Sequence, residues 1–173
     1  MRRAIGIIFV AACGGGSTRS GTDFVGTYAV TAHHMNMMQG TTVACSDSGP
    51  SVTNGPMYFA LIVDPFFDDP SFIKMQTCTA PGTCTDTLDT FNPGGPGLEE
   101  LSANTQTGGG TNCNLYAGHG TVTLTGDVAH VEVRSWFESP NLQSSDCTLD
   151  KAEALRSSPD CETVEVWDGT RMP

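Results

Sequence analysis

The chain has 173 residues, with 19 Asp and Glu against 8 Lys and Arg, for a formal net charge of −11. That excess of negative charge excludes nucleic acid and anionic lipid surfaces as partners. Only 16% of the residues are charged while Gly, Thr and Ser abound, so few side chains could wet a helix surface and β-structure joined by turns is favoured.

The first segment is MRRAIGIIFVAAC. Arg2 and Arg3 form a positive n-region, and Ala4 to Val10 an apolar run far shorter than the ~20 residues that span a bilayer. The run ends in Val10-Ala11-Ala12-Cys13, which resembles the lipobox of bacterial lipoproteins. The resemblance implies that residues 1–12 are a signal peptide that is removed, and that Cys13 is then lipidated on its sulfur and acylated on its new amino terminus. Loss of two arginines would take the net charge to −11 − 2 = −13. Gly14 stands where the family's inner-membrane retention signal has Asp. This implies the outer membrane of a Gram-negative cell, with the protein facing the periplasm or the cell surface. Residues 13–22 then form a lipidated Gly/Ser-rich tether, and residues 23–173 a single β domain. Several acyl chains give a stable anchor where one would not.

From Phe24 the chain alternates, with Phe24, Gly26, Tyr28, Val30 and Ala32 on one face and Thr27 and Thr31 on the other, which predicts a half-buried strand. FVGTYAV resembles the Gly-x-Trp strand that opens lipocalins, with Tyr28 where Trp would stand, and the resemblance implies a barrel. HHMNMM, residues 33–38, follows. On a strand it divides into His33, Met35 and Met37 on one side and His34, Asn36 and Met38 on the other. Imidazole and thioether ligands suit Cu(I), whereas methionines filling an irregular core edge would have the same composition.

A second short strand is expected at Thr41 to Cys45, a loop at 46–56, and a strand at Met57 to Asp64 apolar enough to be covered on both faces. DPFFDDP then offers Asp64, Asp68 and Asp69 as oxygen ligands for calcium, though in no EF-hand spacing. Its Phe66 and Phe67 must either join the core or lie exposed as a contact surface. A hairpin is expected around Pro81-Gly82, and residues 92–110, NPGGPGLEELSANTQTGGG, read as irregular with one helical turn at Leu98 to Ser102.

The clearest element is residues 117–137, where Gly126-Asp127 reads as a two-residue hairpin turn. That turn pairs Leu124 with Ala129, Val122 with Val131 and Gly120 with Val133 on an apolar face. Thr123–His130, Thr121–Glu132 and His119–Arg134 fall on the polar one. His119 and His130 share a face but lie too far apart to grip one ion. A helix is expected at Leu149 to Arg156, burying Leu149, Ala152 and Leu155, and a last strand at Cys161 to Trp167.

Apart from Cys13, six cysteines remain, and in an exported protein they read as three disulfides. Cys78 and Cys84 flank the Pro81-Gly82 turn. Cys147 and Cys161 flank the helix, which leaves Cys45 for Cys113. The expected fold is therefore all-β: a small antiparallel barrel, lipocalin-like, or a sandwich of about eight strands, with one short helix near the C-terminus and disulfide bracing.

No esterase elbow, zinc-protease helix or phosphate loop is present, so no catalytic residue, metal ligand or cofactor is assigned. The expected role is a non-enzymatic outer-membrane lipoprotein, structural or binding, that meets the membrane through its anchor and otherwise an unknown protein or a small apolar ligand. Two alternatives stand beside it. One is a lipocalin-like carrier with a cavity lined by Phe24, Tyr28, Phe59 and Val122. The other is a periplasmic copper-binding protein using residues 33–38.

Overall fold

The computed structural model describes residues 20–37, 41–67, 69–94, 97–108 and 112–173. Cys13, its signal peptide, Met38 and Asp68 lie outside the described residues.

Eight strands close a barrel: β1 (Gly26–Met37), β3 (Tyr58–Val63), β4 (Ile73–Ala80), β5 (Thr83–Gly94), β6 (Gly97–Thr107), β7 (Cys113–Thr125), β8 (Val128–Glu138) and β10 (Thr163–Arg171). Each pairs antiparallel with its neighbours in the order β1-β10-β8-β7-β6-β5-β4-β3. Two short strands, β2 (Val43–Ala44) and β9 (Asp160–Cys161), form a separate ladder. A helix, α1 (Leu149–Ala154), completes the set. The barrel is thus an up-and-down meander without a free edge, which answers barrel against sandwich.

The β7–β8 hairpin has the expected register, Leu124 to Ala129, Val122 to Val131 and Gly120 to Val133, with Gly126 at φ 58° in the turn. Residues 92–110 differ from expectation. Apart from the described end of β5, most of them form β6, which pairs along its whole length with β7. Met57 to Asp64 is also corrected in part: Phe59 and Leu61 point inward and Ala60 is buried outside, but Tyr58 and Ile62 are only half covered.

The barrel has two unlike ends. At the floor, a 3-10 turn over Gly21–Phe24 lies against the loop that carries Pro70 and Ser71. Gly21 is buried in that turn and Thr22 is exposed. Ser20 N–H donates to the Asp23 carboxylate at 2.9 Å and starts that turn. Tyr28 Oη donates to the Phe24 carbonyl at 2.7 Å, and Arg171 on the last strand donates to Tyr28 Oη at 2.8 Å and to the Asp23 carbonyl. The guanidinium also lies 5.5 Å from the Tyr28 ring centroid, a favourable place for a cation. Inside this end, Phe24, Tyr28, Phe59, Leu61, Ile73, Met75, Phe91, Leu98, Val122, Ala129, Val131 and Trp167 pack into one core.

At the other end the buried face is the outer one. Along β7 the inward residues Val122 and Gly120 are buried, but nearer the mouth it is the outward Ala117, Leu115 and Cys113 that are covered. They lie beneath α1 and the β2–β9 ladder together with Trp136, Ala152, Leu155, Val164 and Cys161. Trp136 and Val164 occupy outward positions on β8 and β10, so a patch outside the barrel wall forms a second core.

All six cysteines beyond Cys13 are disulfide-bonded. Cys78 pairs with Cys84 across the β4–β5 turn. The other two pairs correct the expectation: Cys45 bonds Cys161 and Cys113 bonds Cys147. The reason is the outer layer. The first bond ties the residue after β2 to β9, and the second ties the start of β7 to the segment leading into α1, so each fastens the layer to the wall.

Candidate functional site

HHMNMM enters the structure as the mouth half of β1, and a β-bulge decides what it does there. Between Val30 and Ala32 the register against β10 slips by one residue: Val30 faces Gly169 and Ala32 faces Asp168. Ala32 consequently leaves the inner face that unbroken alternation would give it. His33, Met35 and Met37 turn inward instead, opposite Trp167, Glu165 and Thr163. His34 and Asn36 point outward. His34 Nδ1–H donates to the Gly49 carbonyl at 3.1 Å and the Asn36 amide to the Asp47 carbonyl at 3.1 Å, so both hold the 46–56 loop against the wall.

Directly opposed residues on neighbouring strands share a face, so the inner wall can be followed row by row from floor to mouth. The first row runs His33, Trp167, Val131, Val122, Leu98, and every member is buried. The next, Met35, Glu165, Val133, Gly120, Glu100, is half-buried to buried. The third, Met37, Thr163, Ser135, Gly118, Ser102, is open enough that Met37 is 59% exposed. At the rim stand Phe137, Tyr116 and Asn104, with the Tyr116 and Phe137 rings 5.0 Å apart and Tyr116 36% exposed. Inward residues that regain contact with water toward one end define a cup closed below and open above.

The floor of the cup is chemically specific. His33 Nε2 lies 2.7 Å from Glu165 Oε1, and the two side chains are 7% and 11% exposed. The imidazole stacks on the Trp167 indole, with centroids 3.4 Å apart and planes 15° from parallel. Removing such a pair from water is costly unless each polar atom finds a partner, yet His33 Nδ1 and Trp167 Nε1 have none. Beside Nδ1 lies Gly55, where an added Cβ would come within 2.8 Å of that nitrogen. The loop reaches this position through Val52 N–H, which donates to the His33 carbonyl at 2.8 Å.

The other sequence-derived candidates go elsewhere. The proposed cavity lining, Phe24, Tyr28, Phe59 and Val122, is corrected: these are fully buried in the floor, Tyr28 stacked on Phe59 at 5.0 Å, and the cup begins above them. Among the described residues no group of three or more His, Cys, Asp or Glu is arranged to hold a metal ion. Asp64 Oδ1 accepts from Phe66 N–H at 2.9 Å and Oδ2 from Thr90 Oγ1–H at 2.5 Å. Asp69 accepts from Ser71 N–H and Oγ–H, which hold its carboxyl below the usual 3.8. Both carboxylates therefore shape the 64–72 loop. Phe67 stacks on Phe72 at 4.3 Å, while Phe66 is 87% exposed. His119 and His130 stay apart on the outer face, paired with Glu99 at 2.9 Å and Asp168 at 2.8 Å.

Glu165 was missed in the sequence because it lies 132 residues from His33. The one available signal was the acidic residue inside the otherwise apolar VEVW. No protein-family model, curated protein or solved structure matches the chain, so the geometry alone bears on function. No helix among the described residues is long and apolar enough to cross a membrane.

Proposed function

We propose that this is a binding protein of the bacterial envelope, tethered to the outer membrane through a lipidated Cys13, whose barrel takes a small, largely apolar ligand into the cup at its open end. One observation carries the binding part: the inner wall stops being a packed core at the His33–Trp167 row, and above it the inward residues regain solvent. Eight strands enclose a space that side chains can fill or that can hold one small ligand. Here the lower half supports the first description and the upper half the second. Met35, Val133, Tyr116 and Phe137 give the cup apolar surface; Glu165, Thr163, Ser135 and Ser102 give it polar points, the mixture typical of ligand sites.

The anchor reading rests on the VAAC motif and the tether. In the sequence, seven residues, 14 to 20, separate Cys13 from Gly21, the first residue of the 3-10 turn.

Two measurements test the proposal. Native mass spectrometry of protein purified gently from its own envelope should show a bound small molecule lost on denaturation; a spectrum with only the bare chain mass would refute the binding role. Labelled palmitate should enter the wild-type chain and fail to enter Cys13→Ser, and labelling that persists would refute the anchor.

A further inference from the structure

The end of the barrel at which the N-terminal tether enters also displays Phe66, the most exposed large apolar side chain among the described residues. We infer that the floor docks on the bilayer that holds the acyl chains of Cys13, with the Phe66 ring inserted among zwitterionic lipids; this rests on the anchor proposed above.

Position comes first. The 64–72 loop joins β3 to β4 at the floor, and Gly21 packs directly on it. A Cβ added to Gly21 would come within 2.6 Å of the Ser71 carbonyl oxygen and 3.1 Å of the Pro70 carbonyl oxygen. Within the loop, Phe72 stacks on Phe67 at 4.3 Å and Phe67 meets Phe66 edge-on at 5.4 Å. The tether therefore joins the fold on the same loop that presents Phe66. Seven residues between Cys13 and Gly21 reach at most about 25 Å, so acyl chains on Cys13 keep this end that close to lipid. The mouth is the far end. β1 runs from floor to mouth over 12 residues, which at about 3.4 Å per residue and a tilt of about 40° is about 30 Å along the axis.

The display is built into the loop. Phe66 N–H donates at 2.9 Å to Oδ1 of Asp64, a carboxylate only 4% exposed whose Oδ2 accepts from Thr90. Asp64 N–H donates to the Phe72 carbonyl at 2.8 Å, and Phe72 N–H to the Asp69 carbonyl at 3.2 Å. The backbone is fixed on both sides of Phe66 while its ring stands 87% in water, and hydrocarbon would remove that cost. One ring alone holds a membrane only marginally. A tether makes the contact intramolecular and raises its effective concentration.

Charge selects the lipid. The floor loops carry exposed Asp23, Asp69 and Asp127, and among their described residues no Lys or Arg. Arg171, at the end of β10, is bonded to Tyr28 and the Asp23 carbonyl. Anionic head groups would be repelled from this end, whereas zwitterionic ones present no net charge to it.

The test uses the full chain, expressed with its signal peptide and reconstituted in vesicles of zwitterionic lipid with brominated acyl chains. Intact mass reports acylation of Cys13. Phe66→Trp, and Met37→Trp at the mouth where Met37 is 59% exposed, report contact with bromine through lost emission, measured against the wild-type signal of Trp136 and Trp167. Both sites are exposed, so neither change enters a packed core. Quenching at position 66 should exceed that at 37 about tenfold, the factor by which burying one aromatic ring favours contact. Replacing half the lipid by an anionic one should reduce it.

An acylated chain quenched equally at both positions, or more at 37, would overturn the docking and leave the anchor standing. Quenching at 66 that anionic lipid leaves unchanged would overturn the preference for zwitterionic lipid. A chain whose mass shows no acyl group would overturn the anchor, and the docking with it.

Discussion

Replacing Gly169 by alanine tests whether the floor is as tight as its geometry requires. Gly169 lies on the inner face of β10, laddered to Val30 on one side and Ala129 on the other. A Cβ there would stand 2.5 Å from Phe59 Cε1, 2.9 Å from Phe59 Cζ and 2.9 Å from Tyr28 Cβ. Carbon atoms in contact prefer about 3.5–4.0 Å, so something must move by about 1 Å. The Phe59 ring has little freedom to do so: it stacks on Tyr28 and meets Trp167 edge-on at 6.4 Å, all of them buried. The backbone cannot retreat without breaking ladder hydrogen bonds on both sides. Overpacking of this kind costs about 1–3 kcal/mol, and the upper end applies here. For a domain of this size that lowers Tm by about 5–10 °C. Urea denaturation and calorimetry on disulfide-intact protein would measure it. Stability within about 0.5 kcal/mol of wild type would refute the reasoning, for it would mean that the floor has slack and the cup reaches deeper than the His33–Trp167 row.

The remaining expectations concern the cross-links and the carboxylates. Removing each disulfide as a Ser pair should destabilise in order of loop length: about 5 kcal/mol for Cys45–Cys161 with separation 116, about 4 for Cys113–Cys147 with 34, and about 2 for Cys78–Cys84 with 6. A reversed order in urea titrations would show that strain or residual structure outweighs chain entropy. Glu165→Ala leaves both ring nitrogens of His33 without a partner and should cost about 2 kcal/mol, with Glu165→Gln costing less; equal losses would mean that volume and not hydrogen bonding matters there. Asp69, its carboxyl lowered by the backbone and hydroxyl of Ser71, should titrate below 3.8 by carbon NMR. Because its folded value is depressed, its small contribution is present above the unfolded value and lost as pH falls through the folded one. Ser71→Ala, which keeps the backbone donor and removes the hydroxyl, should return the midpoint part of the way.

How far the sequence carries depends on whether the deciding forces are local. The β7–β8 pairing was legible because a two-residue turn fixes it and apolar and polar residues alternate on both arms. β6 was not, since its inward residues Glu100, Ser102 and Asn104 face the wet end of the barrel, and a strand with two polar faces has no period to read. The bulge at Thr31 left no trace either: GTYAVTA alternates smoothly through it, and only pairing with β10 reveals the slip. The disulfide partners depended on an outer layer that buries part of the barrel's outside, an arrangement that composition does not announce. The His33–Glu165 pair joins the first and last strands of the barrel, contact that becomes visible only when the sheet closes.

All three disulfides lie toward the mouth, at the β4–β5 turn, the start of β7 and the segment before β10. The floor has none and stands on burial and on Arg171. Two kinds of strength are thus divided between two ends, one that answers to temperature and one that answers to redox potential. A reductant would act on the mouth end alone, releasing the outer layer from the wall, whereas heat acts on the packed floor as well.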